Sequence, residues 1–98
     1  LLPLQSAVKH WRSKAGAEVD FIIDHAGKIF ALEVKYTALK QPKLTRSARS
    51  FIDAYHPTLL VVVNMALEDT ITVEDTPVHF ITPCSLPKWL TRIFEPSL

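Results

Sequence analysis

Acidic and basic residues on two neighbouring segments have the types and the spacing to bind a divalent cation. Asp20 lies in the first segment, and Glu33 and Lys35 end the second. Both segments alternate polar with apolar residues, which is typical of β-strands, and Gly27 between them favours a tight turn. A turn centred there predicts that Asp20 lies directly opposite Glu33. The same register predicts that Glu18 lies opposite Lys35 and that all four side chains share one face.

The other face of this predicted hairpin is entirely apolar. A strand that presents one apolar face buries that face, so we expect it to be the one that packs against the core. Its residues are Val19, Phe21, Ile23, Phe30, Leu32 and Val34.

Two carboxylates on adjacent strands need a compensating positive charge. At a separation of about 5 Å they repel by roughly 3 kcal/mol at an effective dielectric constant near 20. Converging carboxylate oxygens are ligands for hard divalent cations, and Lys35 stands where an ammonium group can hold a metal-bound water or a phosphate oxygen. The alternative interpretation is a solvated face on which Lys35 neutralises Glu18 and Glu33.

Length and composition predict one globular domain, spanning residues 1–98, with a modest core. The chain has 98 residues, of which 48% are hydrophobic and 21% are charged. It starts Leu-Leu-Pro, so we expect a C-terminal piece of a longer polypeptide. No apolar run approaches the roughly 20 residues of a membrane helix. Cys84 is the single cysteine, which favours a reducing, cytoplasmic location and excludes an internal disulfide.

The distribution of charge says more than the formal net charge of +1. Most acidic residues lie in the hairpin and in a later loop, residues 68–75. The segment from residue 35 to residue 49 has no acidic residue, so we expect a basic side next to an acidic pocket. Its basic residues are Lys35, Lys40, Lys43, Arg46 and Arg49.

The remaining patterns predict an α/β domain with a mixed sheet. Residues 7–13 are a candidate strand, which gives an antiparallel three-stranded meander with the hairpin. A helix is expected between Pro42 and Pro57, because five apolar residues between them share one helical face. The valine-rich residues 58–65 predict a buried strand that is parallel to the third strand after a helical crossover.

Two further elements are expected after the buried strand. Residues 78–82, bracketed by Pro77 and Pro83, predict an edge strand. Ser85 is a candidate cap for a C-terminal helix. The acidic residues 68–75 are interpreted as a solvated loop or an edge hairpin rather than a metal site, and no cysteine or histidine spacing indicates zinc.

The order of strand, acidic strand, Glu-x-Lys strand, helix and buried strand resembles the restriction-endonuclease-like core, whose signature is written PD-(D/E)XK. The chain is similar to the C-terminal domain of unknown function that follows the ATPase module of many prokaryotic AAA+-type ATPases. The resemblance is densest over residues 9–36. It rests on His10-Trp11-Arg12, on Gly16-Ala17-Glu18-Val19-Asp20-Phe21 and on Glu33-Val34-Lys35.

This resemblance implies a metal-dependent phosphodiester hydrolase. By similarity, Asp20 and Glu33 bind Mg²⁺ or Mn²⁺, the carbonyl of Val34 is a further ligand, and Lys35 orients the attacking water. Glu18 is a candidate replacement for a helical glutamate that some relatives carry. Four basic residues are expected to contact nucleic-acid phosphates in a salt-dependent manner. These residues are Lys40, Lys43, Arg46 and Arg49.

Three hypotheses follow from the sequence. The first is a Mg²⁺-dependent nuclease domain that acts on DNA, attached to an upstream ATPase module in the same chain. The second is a catalytically inactive fold of the same kind that binds nucleic acid or a partner. The third is a docking domain, in which Trp11, Trp89 and Phe94 form an apolar patch for a partner or for a homo-oligomer, although core packing is the alternative use of these rings.

Overall fold

The computed structural model describes the backbone of residues 7–12 and 18–94 and the side chains of residues 20–93. The described part forms a six-stranded mixed sheet with the strand order β1-β2-β3-β4-β6-β5. A helix covers each face of this sheet, so the predicted α/β class is confirmed. The elements in chain order are β1 (Ala7–Arg12), β2 (Glu18–His25), β3 (Lys28–Val34), α1 (Arg46–Tyr55), β4 (Leu59–Val63), β5 (Asp69–Val73), β6 (Thr76–Ile81), a 3₁₀ turn (Pro83–Ser85) and α2 (Leu86–Phe94).

The antiparallel meander of β1, β2 and β3 forms as predicted. In the central hairpin, His25 pairs with Lys28 and the ladder continues in the predicted register to Phe21 and Leu32. The turn residues Ala26 and Gly27 both have positive φ angles, of 53° and 77°. Two left-handed residues in sequence match the twist of the flanking strands, so the turn sets the register locally.

The hairpin is buried on both faces, whereas the sequence predicted burial of its apolar face. The apolar face is buried under α2 at Ile23 and Phe30, but Phe21 is 45% exposed. The opposite face is also covered, because Ala31 packs into the cluster of α1 and Glu33 is 7% exposed. The reason is that β3 is an interior strand with a parallel partner, and sheets of this kind carry helices on both faces.

Helix α1 occupies the predicted crossover between β3 and the parallel strand β4. It begins at Arg46, later than the Pro42 boundary suggested, because the side chain of Thr45 caps it by accepting the N–H of Ala48 at 3.1 Å. It ends at Tyr55, and the following residue, His56, is the C-cap with a left-handed φ of 44°. Its apolar face, including Ala48, Phe51 and Ile52, is buried against the sheet as predicted.

The prediction of an edge strand at residues 78–82 is wrong in position. Strand β6 pairs with β4 on one side and with β5 on the other, so β5 is the edge strand. Residues 68–75 therefore form most of an edge hairpin, whose turn residues Glu74 and Asp75 have φ angles of 47° and 69°. Pro77 is tolerated in β6 because the pairing with β4 begins only at Val78.

The C-terminal helix α2 also forms as predicted, with Ile93 buried and Trp89 and Leu90 half-buried on its inner side. The hydroxyl of Ser85, expected as its cap, donates to Glu68 at 3.1 Å. The side chains of Trp11 and Phe94 lie outside the described side chains. Neither helix of the described residues is long and apolar enough to span a bilayer.

Asn64 fixes the chain where it leaves the end of β4. Its side chain is fully buried, and its amide donates to the carbonyls of Leu67 and Ile81 at 2.9 and 3.2 Å. Its Oδ1 accepts the N–H groups of Ala66 and Leu67 at 3.0 and 2.7 Å. One side chain therefore satisfies four backbone groups at the carboxyl edge of the parallel strands.

We expect Asn64→Ala to lower the free energy of unfolding by about 2–3 kcal/mol, because it leaves buried backbone groups without partners. Urea denaturation measures this change. Thr91→Ala is the matched control, since the exposed hydroxyl of Thr91 makes a single bond to the Pro87 carbonyl, and its cost should stay within about 0.5 kcal/mol. Equal costs for the two variants would contradict the role of Asn64.

Candidate functional site

The pairing of β1 with β2 has an irregularity at Asp20, where β2 contains an extra residue. Lys9 of β1 pairs with Ile22, and Trp11 pairs with Val19. Between these two pairs β1 has one residue and β2 has two, of which Asp20 is one. Irregularities of this kind re-aim side chains and are common next to functional sites.

The carboxylate of Asp20 is held against the backbone of β3. Its Oδ2 accepts the N–H of Val34 at 2.7 Å, and the regular ladder between the two strands ends one position earlier, at Phe21 and Leu32. The regular ladder does not extend to the predicted direct pair of Asp20 with Glu33, because the side chain of Asp20 accepts the hydrogen bond that Val34 donates. It nonetheless lies beside Glu33, the residue before Val34.

Glu33 is the buried polar centre of the site. Its side chain is 7% exposed, and its Oε1 accepts the hydroxyl of Thr45 at 2.8 Å. Its Oε2 is buried without a hydrogen-bond partner in the described part of the chain. Burial raises the pKa of Glu33, the Thr45 hydroxyl and the Lys35 ammonium lower it, and the Asp20 carboxylate raises it. The structure thus brings Asp20, Glu33 and Lys35 together, as the sequence predicted.

Thr45 connects this site to helix α1. Its hydroxyl oxygen accepts the N–H of Ala48 as the N-cap and donates its proton to Glu33. The sequence contains the capping signal, a threonine just before an amphipathic run. It contains no signal for the bond to Glu33, because the two residues are twelve positions apart and meet only through the fold. Sequence analysis missed Thr45 for this reason.

The predicted phosphate-binding residues lie in the segment between β3 and α1 and on α1. Lys40 and Lys43 are exposed in the irregular segment, and Arg46 and Arg49 are exposed on the first turn of the helix. Only Arg46 and Arg49 lie on the helix, because α1 begins at Arg46. All four cations lie within residues 40–49, in the segment that follows Lys35 and includes Thr45.

Other predicted residues add no described ligand to the site. Glu18 is in β2, where its backbone pairs with Arg12, and its side chain lies outside the described side chains. Across residues 20–93, no group of three or more Asp, Glu, His or Cys side chains converges in the manner of a metal centre. The ring of His79 meets the hydroxyl of Thr70 at 3.0 Å, and its centroid lies 4.2 Å from the ring of Trp89 in a tilted arrangement.

We expect Glu33→Gln to stabilise the metal-free domain at neutral pH. Because the pKa of Glu33 is raised on folding, the folded state holds its proton more tightly, and stability falls as pH rises past the ordinary glutamate range. The neutral amide removes this loss, so the gain in melting temperature should be present at pH 7 and vanish near pH 4.

Glu68→Gln is the matched control with the opposite sign. Hydrogen bonds from the backbone and hydroxyl of Thr82 and from Ser85 lower the pKa of Glu68. This variant should lose stability at neutral pH, and the loss should shrink only as pH falls below the ordinary glutamate range, through the lowered pKa of Glu68. Thermal melts in EDTA from about pH 3 to pH 8 measure both variants. A Glu33→Gln variant that melts below the wild type at pH 7 would contradict the burial argument.

Substitutions at Thr45 separate the energy of helix capping from the contact with Glu33. Both Thr45→Val and Thr45→Gly remove the two hydrogen bonds. Thr45→Val should cost about 1–2 kcal/mol in unfolding free energy, whereas Thr45→Gly should cost only a few tenths of a kcal/mol in capping energy, because glycine is itself a tolerated N-cap. Both variants should raise the pKa of Glu33, and Thr45→Ser should restore it. A carboxyl-carbon NMR titration measures the pKa. Identical Glu33 titration in all three variants would contradict the contact.

The chain matches a known protein family over most of its length. No curated protein matches the sequence. Residues 2–86 match the family described as Domain of unknown function (DUF4143). Because this match covers far more than half of the chain, the protein belongs to the DUF4143 family.

Proposed function

We propose that this domain is a Mg²⁺-dependent nuclease of the PD-(D/E)XK kind that hydrolyses DNA phosphodiesters. The observation that carries the proposal is the buried Oε2 of Glu33, which has no described hydrogen-bond partner and lies beside Asp20 and Lys35. A buried carboxylate oxygen without a partner is costly, and a divalent cation compensates for that cost.

The residues present fit a magnesium or manganese ion. Carboxylate and carbonyl oxygens suit these ions, whereas zinc sites use nitrogen and sulfur ligands. Mg²⁺ keeps several waters and is commonly held by one or two carboxylates together with substrate phosphates. Asp20 and Glu33 therefore suffice as a protein ligand set. In the proposal the carbonyl of Val34 is a further ligand, and Glu18 is an additional candidate.

Each residue of the site has a separate task in this proposal. Mg²⁺, when bound, supplies polarisation of the phosphate and lowers the pKa of water. Asp20 is fixed by the Val34 N–H and Glu33 by the Thr45 hydroxyl, so both carboxylates are oriented before substrate arrives. Lys35 donates to the attacking water and to a phosphate oxygen, where negative charge develops.

The exposed basic residues supply affinity for the nucleic-acid backbone. Lys40, Lys43, Arg46 and Arg49 follow the site directly in the chain, and no acidic residue interrupts them. If each neutralises one phosphate, the plot of log affinity against log salt concentration should have a slope of about −3 to −4. The attachment to an AAA+-type ATPase module and the cytoplasmic location belong to the same proposal and rest on the sequence resemblance.

A second candidate function is nucleic-acid binding by a catalytically inactive domain. Two observations favour it: Asp20 and Glu33 are joined by no third acidic ligand within residues 20–93, and burial raises the pKa of Glu33, which opposes metal binding. In this function the basic residues act as proposed and no hydrolysis occurs.

Metal binding tests the first proposal without relying on activity. We expect calorimetric titration to show Mg²⁺ or Mn²⁺ binding to the wild type, and at ten times Kd the ion should raise the unfolding free energy by about 1.4 kcal/mol. Glu33→Gln and Asp20→Asn should lose both effects. Glu74→Gln, at an exposed turn carboxylate on the edge hairpin, is the control and should keep them.

Cleavage separates the two functions. We expect Lys35→Ala to bind the ion with an affinity near that of the wild type and to cleave DNA on the order of 10²- to 10³-fold more slowly. Unchanged cleavage would refute the role of Lys35. Salt-sensitive DNA binding without Mg²⁺ binding and without cleavage on single-stranded, duplex or branched DNA would establish the inactive binding function instead.

A further inference from the structure

The two most exposed large apolar side chains among residues 20–93 lie at the same end of two neighbouring interior strands. Tyr36 is 88% exposed and Met65 is 57% exposed. Tyr36 follows β3 and Met65 follows β4, so both stand at the carboxyl ends of parallel strands. Ligands of open α/β sheets bind in the crevice outside these ends.

The backbone that carries these side chains is held on both sides of Tyr36. The N–H of Lys35 donates to the carbonyl of Val63 at 2.7 Å, and the N–H of Met65 donates to the carbonyl of Thr37 at 3.0 Å. Tyr36 is therefore an exposed side chain on a backbone segment that hydrogen bonds hold in place. An anchored backbone has little conformational freedom left to lose when a ligand stacks on the side chain that it carries.

The surroundings of Tyr36 select an anionic ligand with flat, apolar faces. Lys35 precedes it directly, and the exposed cations Lys40 and Lys43 follow it in the segment before α1. Aromatic side chains within a basic surface are the means by which proteins hold single-stranded nucleic acids, because each base offers a π-face and each linkage a phosphate. The thioether of Met65 adds a polarisable contact for the same rings.

We propose that Tyr36, with Met65 on the neighbouring segment, is a stacking platform for an unpaired base next to the scissile phosphate. The platform rests on the proposed function, and it defines the substrate as single-stranded nucleic acid or a junction with unpaired bases. Bases inside a duplex are stacked on one another and cannot lie on the tyrosine ring. Uninterrupted duplex therefore uses only the basic residues.

Binding in EDTA tests the platform separately from hydrolysis. Fluorescence anisotropy is measured with an end-labelled oligonucleotide, as a single strand and as a duplex of the same length and sequence. Tyr36→Ala should weaken single-strand binding by about 5- to 100-fold, and duplex binding should change by less than about twofold. Tyr36→Phe, which keeps the aromatic face, should retain single-strand affinity within about threefold.

Tyr55→Ala is the matched control, since Tyr55 is a 48%-exposed tyrosine that packs on Phe51 of α1, with its ring centroid at 4.9 Å. It should leave both affinities unchanged. Unchanged melting temperatures for the Tyr36 variants exclude loss of folding.

Four results would overturn the platform: equal loss on single strand and duplex, no loss in Tyr36→Ala, equal loss in Tyr55→Ala, or occupation of Tyr36 by a protein partner with no effect on oligonucleotides. If the wild type binds neither oligonucleotide, the proposed nuclease function fails together with the platform. If the wild type binds and cleaves DNA but Tyr36→Ala behaves as the wild type does, only the platform fails.

Discussion

Burial of the Glu33 carboxylate is the constraint on which the candidate site depends. Taking a carboxylate out of water is unfavourable unless hydrogen bonds or cations replace the lost solvent. The fold supplies the Thr45 hydroxyl to Oε1 and places Lys35 nearby, and it leaves Oε2 without a described partner. A domain of this size has little stability to spare, so an incompletely satisfied carboxylate of this kind is typical of a functional position.

The elements around Glu33 explain how it is held there. Strand β3 is an interior strand, with the antiparallel β2 on one side and the parallel β4 on the other. The crossover from β3 to β4 brings the first turn of α1 over the face that carries Glu33, and Thr45 at the start of that helix contacts the carboxylate. The same residue thus starts the helix and fixes the orientation of Glu33. The irregular step in β2 adds Asp20 from the other side by turning its carboxylate onto the backbone of β3.

The stability and the chemistry of the site are opposed. Without a cation, Glu33 and Asp20 repel each other and burial disfavours the charged form of Glu33. With a cation and a phosphate, the same burial strengthens every charge interaction, because the local dielectric constant is low. In the proposed nuclease, the basic residues of the following segment attract the phosphate that completes such a site. This balance is the physical basis of that proposal for this chain, and an inactive binding domain would keep only its basic part.

The sequence by itself determined the features that depend on local chemistry. The left-handed turn at Gly27 and the alternation of the flanking residues define the hairpin register, and the amphipathic run before Pro57 defines α1. The valine-rich run defines β4. These three elements depend on contacts between residues that are close in the chain, so the amino-acid sequence is enough to predict them. The closeness of Asp20, Glu33 and Lys35 follows from that register.

Only the tertiary structure decided what lies between distant segments. The insertion of β6 between β4 and β5, the extra residue at Asp20, the burial of Glu33 and its contact with Thr45 all join residues from separate elements. The exposure of Tyr36 beside the carboxyl end of β4 is of the same kind. Such contacts arise from the packing of whole helices and strands. The periodicity of apolar residues along the sequence does not predict which helix and strand surfaces meet.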